Sequence, residues 1–120
     1  IRACTGLTDL RLGSGSNADS GQNSIDGFGN NLNIDSLVNL TTFAADSCKL
    51  TGRVTLPNIA KLIAIQAQWN AALEGFNNLT AHGTTVTSIV VDRCDIIQLP
   101  ELSTMTKIIT LYARFSGLNN

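Results

Sequence analysis

One spaced pattern returns four times along this 120-residue chain. It runs apolar, two variable, apolar, one variable, apolar, two variable, small or polar, one variable, apolar. The copies are Leu40-Phe43-Ala45-Cys48-Leu50, Leu62-Ile65-Ala67-Asn70-Ala72, Val86-Ile89-Val91-Cys94-Ile96 and Ile108-Leu111-Ala113-Ser116-Leu118. Their second apolar positions, Phe43, Ile65, Ile89 and Leu111, are 22, 24 and 22 residues apart. A unit of that size cannot bury its own apolar face, so stacking in a solenoid is the expected solution. Residues about two dozen apart would then become neighbours on adjacent parallel strands.

The apolar residues within each copy also say which parts are extended. Phe43/Ala45, Ile65/Ala67, Ile89/Val91 and Leu111/Ala113 alternate with period two, as one face of a strand does. A register slip of one residue would turn that set into water. Lead-in segments show spacings near three instead: Leu32-Ile34-Leu37-Leu40, Leu56-Ile59-Leu62, Leu73-Phe76-Leu79 and Leu99-Leu102-Met105-Ile108. Such spacing suits 3₁₀ or short helical turns on a convex side. Pro57 and Pro100 follow Leu56 and Leu99 at matching places and start those turns. Leu7-Thr8-Asp9-Leu10-Arg11-Leu12 reads as a partial first copy. The 33-residue step from Leu10 to Phe43 implies an insertion of about ten residues, in a Gly-, Ser- and Asn-rich loop over 13–31.

These segments resemble leucine-rich repeats, whose core is L-x-x-L-x-L-x-x-N/C-x-L. The resemblance covers Leu32 to Leu118 plus the partial copy at Leu7 to Leu12, with Ser116 and Gly15 standing where the family has Asn or Cys, and Ala72 at a final leucine. It implies a single α/β repeat domain over 1–120: a short right-handed leucine-rich-repeat solenoid of about five coils. A parallel β-sheet would line the concave face, with loops and short 3₁₀ turns on the convex face. It further implies that Asn70 hydrogen-bonds the backbone of adjacent coils, with Cys48, Cys94 and Ser116 as smaller occupants of that ladder.

Composition narrows the functional classes. Charged residues are 14% of the chain and the net charge is -1, which offers no electrostatic case for nucleic acid or an anionic membrane. No apolar run has the length of a transmembrane helix, so no membrane insertion is expected. No signal-peptide pattern appears at Ile1, and the absence of an initiator Met suggests a processed chain or a fragment. Among Cys4, Cys48 and Cys94, the last two share one slot two coils apart, about 9–10 Å between Cα atoms. That is beyond disulfide reach, so both are expected reduced and buried. His82, the single histidine, lies in the 79–86 loop with no assignable nucleophile, and no catalytic residue is nominated. No zinc spacing or phosphate loop occurs, and no cofactor is implied; Asn17, Asp19, Asn23 and Asp26 miss the EF-hand spacing and read as a solvated loop. Asn39-Leu40-Thr41 and Asn78-Leu79-Thr80 are glycosylation acceptors if the chain is a eukaryotic secreted protein.

Stacking would align the variable strand positions in columns: Ala44/Gln66/Val90/Tyr112, Asp46/Gln68/Asp92/Arg114 and Ser47/Trp69/Arg93/Phe115. Trp69 and Phe115 would flank Arg93 at stacking distance, and Asp92 would sit beside Arg114. Trp, Tyr and Arg are the residues enriched in interface hot spots. The expected function is a non-catalytic module that recognises a protein partner through its concave face. The candidate partner-binding residues are Gln66, Gln68, Trp69, Asp92, Arg93, Tyr112, Arg114 and Phe115. Alternatives are a structural subunit of a larger assembly, such as a virion, tail or filament component, and a glycan-binding adhesin. Ends without polar caps suggest homo-oligomerisation or docking into an assembly. An extracellular, cell-surface or virion location is favoured over the cytoplasm.

Overall fold

The computed structural model describes residues 5–12, 31–96 and 102–114. Its strands, in chain order, are β1 (Asp9–Arg11), β2 (Thr42–Ala44), β3 (Thr51–Thr55), β4 (Ala64–Gln66), β5 (Ala72–Asn77), β6 (Ser88–Val90) and β7 (Thr110–Tyr112). β1, β2, β4, β6 and β7 form one five-stranded parallel sheet in that order, and β3 and β5 form a second, two-stranded parallel sheet. Among the described residues, helix is limited to 3₁₀ turns at Leu79–His82 and Leu102–Thr104, and neither sheet closes on itself. The result is an α/β-like domain of parallel strands with little helix. Among the described residues no helix is long and apolar enough to cross a membrane.

The repeated apolar positions meet in register. Leu10 pairs with Phe43, Phe43 with Ile65, Ile65 with Ile89 and Ile89 with Leu111. The first four of these side chains are buried, and Leu111 packs half-buried against the same core. Leu40, Ala45, Cys48 and Leu50 from the first copy, and Val86, Val91, Cys94 and Ile96 from the third, belong to the same interior. Three-residue strands have too few ladder bonds to persist alone. A buried Leu, Ile or Phe contributes about 1.5–3 kcal/mol, against a net 0.5–1.5 for a hydrogen bond. The sheet is therefore held chiefly by the side chains on its inner face.

The second sheet departs from the sequence reading, which placed turns there. Leu73 and Phe76 lie on a strand although their spacing is three. The register explains it: Gly52 pairs with Leu73 and Arg53 with Gly75, so Glu74 bulges out of the ladder. Skipping one residue brings Leu73 and Phe76 to the same inner side, both buried. Leu73 also takes the inward place expected of Ala72, which is exposed. Gly52 has φ +69, and a Cβ there would collide with the Asn31 side chain, whose Oδ1 accepts the Arg53 N–H at 3.0 Å.

The Leu32-Ile34-Leu37-Leu40 lead-in does form turns. Leu37 and Leu40 donate to the carbonyls of Ile34 and Leu37, each three residues back at 3.1 Å, and all four side chains are buried. In the next lead-in Leu56 and Leu62 are buried but Ile59 is 47% exposed. His82 fills this corner instead. Its Nδ1 accepts from the N–H groups of Lys61 (3.3 Å) and Leu62 (3.2 Å), and its Nε2 donates to the Pro57 carbonyl at 2.6 Å. Gly83 follows immediately, where any Cβ would collide with the Thr104 carbonyl; this close approach brings the two 3₁₀ turns together. The 13–30 part of the insertion, Cys4, Leu99, Pro100, Phe115, Ser116 and Leu118 lie outside the described residues.

Candidate functional site: the rim where the strands end

In the five-stranded sheet β2, β4, β6 and β7 stop at residues 44, 66, 90 and 112, yet the hydrogen bonds between them run on. Ser47 N–H donates to the Gln68 carbonyl at 3.0 Å, Trp69 to Asp92 at 2.9 Å and Arg93 to Arg114 at 2.8 Å. Three positions past the ends of β2, β4 and β6 the chain turns at a left-handed residue: Ser47 (φ 55), Trp69 (φ 64) and Arg93 (φ 59). None is glycine, so each conformation costs about 1–2 kcal/mol and persists because the bonds to the next unit hold it. One set of equivalent positions therefore lines the rim.

Beneath that rim, buried polar side chains tie one unit to the next. Asn70 is fully buried; its Oδ1 accepts the N–H groups of Cys48 and Leu50, each at 3.0 Å. Its Nδ2 donates to the carbonyls of Ala45 (2.9 Å) and Ala67 (2.8 Å). Asp46 accepts the Gln68 N–H at 2.9 Å, and Asp92 accepts the Arg114 N–H at 2.7 Å. These two aspartates do the same backbone work in different fields. Burial pushes the Asp46 carboxyl above the usual carboxylate value. The Arg114 guanidinium, 2.7 Å from Asp92 Oδ2, holds the Asp92 carboxyl below it. Cys48 and Cys94 are both free and buried, with thiols pushed up by burial to about 11. Cys94 Sγ donates to the Ala67 carbonyl at 3.0 Å. At neutral pH both are unreactive thiols filling the slots that flank Asn70.

Above them sit two cation–aromatic pairs. The Arg93 guanidinium lies 4.7 Å from the Trp69 ring centroid, and that of Arg114 lies 5.2 Å from Tyr112. Both are in the range of favourable cation–π attraction. Trp69 is half-buried and Arg93 exposed, while Tyr112 is 50% exposed.

The candidate residues thus divide. Gln66 and Tyr112 stand on β4 and β7, in the outward column Ala44/Gln66/Val90/Tyr112. Gln68, Trp69, Asp92, Arg93 and Arg114 lie past the strand ends, on the rim rather than on the sheet face, and Trp69 and Arg93 are themselves the left-handed residues at which the chain turns. Asp92 is buried and clamps Arg114; it is a support rather than a contact surface. Phe115 is outside the described residues. His82 and Asp46 are the structural groups that residue-by-residue reading missed. The Asp-x-Cys duplication at Asp46/Cys48 and Asp92/Cys94 was the available signal for Asp46. Among the described residues no group of three His, Cys, Asp or Glu is placed to hold a metal ion. No protein-family model, curated protein or solved structure matches this chain.

Proposed function

We propose that the chain is a leucine-rich-repeat solenoid serving as a non-catalytic binding module, and that it engages a protein partner through the rim bearing Gln68, Trp69, Arg93 and Arg114 together with the adjoining strand residues Gln66 and Tyr112. The observation that carries this reading is the Arg93–Trp69 stack at 4.7 Å. Trp and Arg are the residues on which interface energy concentrates, and here both are fixed by left-handed backbone and by a ladder to the next unit. A side chain held in place before binding loses less entropy on docking.

The test is a titration of the partner recovered with the wild-type chain. Trp69→Ala is expected to weaken binding by about 2 kcal/mol, roughly 30-fold, while circular dichroism stays unchanged. Equal affinity of the variant and the wild type would remove the rim from the binding surface. A second reading, a subunit of a larger assembly, is favoured by β7 and the residues flanking it, where Ile108, Leu111 and Ala113 are half-buried and Ile109 is 84% exposed. Light scattering separates the two readings: a monomer supports the module, and concentration-dependent assembly supports the subunit.

A further inference from the structure

At the other end of the same strands, about 20 Å from Trp69 at 3.3 Å per residue, lies a second ordered column. Thr41 N–H donates to the Thr8 carbonyl (2.7 Å), Ile63 to Thr41, Thr87 to Ile63 and Ile109 to Thr87 (each 2.8 Å). Residues 8, 41, 63, 87 and 109 therefore stand side by side. The hydroxyls of Thr41 and Thr87 are turned back onto the carbonyls of Thr8 and Ile63, at 3.0 and 3.3 Å. With those hydroxyls engaged, the stripe is more apolar than its composition suggests. Ile63 is 48% exposed and Ile109 84%.

From Thr41 onward the column alternates, Thr41, Ile63, Thr87 and Ile109, and the positions two residues earlier, Asn39, Lys61, Thr85 and Lys107, share that two-unit spacing. Lys61 precedes Ile63 by two positions, and Lys107 precedes Ile109 in the same way. Both lysines are exposed. The Lys61 Nζ donates to Asn39 Oδ1 at 2.6 Å, and among the described residues neither ammonium forms an ion pair. The surface therefore presents an apolar contact and a cation twice, two strands apart, a distance of about 9.6 Å.

That spacing selects a ligand conformation. A β-strand returns to one face every 6.6 Å or so and an α-helix about every 5.4 Å. A polyproline II helix returns every third residue, about 9.3 Å. We propose that this rim docks an acidic peptide in the polyproline II conformation, lying along the column. Its apolar side chains, one in three, seat on Ile63 and Ile109, and its carboxylates face Lys61 and Lys107. This surface is separate from the Trp69 rim and does not depend on it.

The probe is a fluorescent peptide of five Glu-Pro-Leu triplets, compared by anisotropy with five Lys-Pro-Leu triplets and with phosphatidylserine vesicles. Saturable binding of the acidic peptide is expected. Ile109→Ser should weaken it about tenfold, without unfolding because the side chain is exposed. The Lys61→Glu/Lys107→Glu pair should shift preference to the Lys-Pro-Leu peptide, while Trp69→Ala leaves binding intact. Three results each overturn the proposal: no saturable binding, binding indifferent to these rim substitutions, or capture of vesicles in place of the peptide.

Discussion

Asn70 and His82 do the same work at two different corners. Each is fully buried, each accepts two backbone N–H groups from the preceding unit, and each donates to a carbonyl 25 residues back. Asn70 latches the turn after β2 to the turn after β4, and His82 latches the Pro57–Leu62 lead-in to the first 3₁₀ turn. The side chains differ in one property that matters. A carboxamide keeps its donors and acceptor throughout the physiological pH range, whereas an imidazole that gains a proton loses its acceptor. One corner is built to be indifferent to acid and the other is not. Corners between neighbouring parallel strands need a buried group that both donates and accepts, and more than one residue type supplies it.

The largest expected effect tests the amide latch. Asn70→Leu leaves the N–H groups of Cys48 and Leu50 and the carbonyls of Ala45 and Ala67 without this partner. At about 1–3 kcal/mol for each orphaned buried group, the loss should reach about 4 kcal/mol or more. That is a large share of the 5–15 kcal/mol typical of a domain. Urea denaturation measures it, and a loss near that of an exposed substitution would break the comparison.

The imidazole latch should fail with acid. Burial lowers the His82 pKa from its ordinary 6.5, against the smaller opposing effect of the Pro57 hydrogen bond. The unfolded chain therefore takes up this proton first as pH drops. The His82 contribution is intact above about pH 6.5 and declines below it, by at most about 1.4 kcal/mol per pH unit, until the folded value is passed. Unfolding free energies at pH 7, 6 and 5 show that decline, and His82→Gln should flatten it. An unchanged slope in the variant would mean that other groups carry the acid response.

Asp46 and Asp92 sharpen the comparison further with the smallest effects, of opposite sign. The Asp46 carboxyl is raised above 3.8 by burial, so its charge weighs against the fold at neutral pH and protonation relieves it. Asp92 is lowered, mainly by its hydrogen bond from Arg114, so its contribution is present above 3.8 and lost as pH falls through its lower folded value. At pH 7, Asp46→Asn should leave the melting temperature unchanged or slightly higher, and Asp92→Asn should lower it. Equal shifts would show that the surroundings of the two carboxylates do not differ in effect.

How far the sequence reaches differs by element. The pairing of Phe43 with Ile65 and of Ile65 with Ile89 was legible because period-two apolar residues recur at a nearly fixed interval. The role of Asn70 was implied by the resemblance of its segment to a leucine-rich repeat, and its backbone hydrogen bonds match that expectation. β5 was not, since Leu73 and Phe76 stand three apart like a turn, and only the bulge at Glu74 reconciles that spacing with a strand. The candidate rim was half legible. Its columns align as stacking requires, but the left-handed φ at Trp69 and Arg93 moves them off the sheet face, and nothing in a Trp or an Arg announces a positive φ. The sinking of Asp92 beneath Arg114 was equally hidden, because a charged residue is ordinarily exposed.

By itself the sequence determined which residues share an interior and at what interval they meet, because apolar periodicity is a local property that water reads directly. The tertiary structure alone decided where each strand stops, which polar groups are enclosed and which aromatics face solvent. Those outcomes depend on hydrogen bonds between segments some two dozen residues apart, and such bonds exist only once the parallel strands have paired.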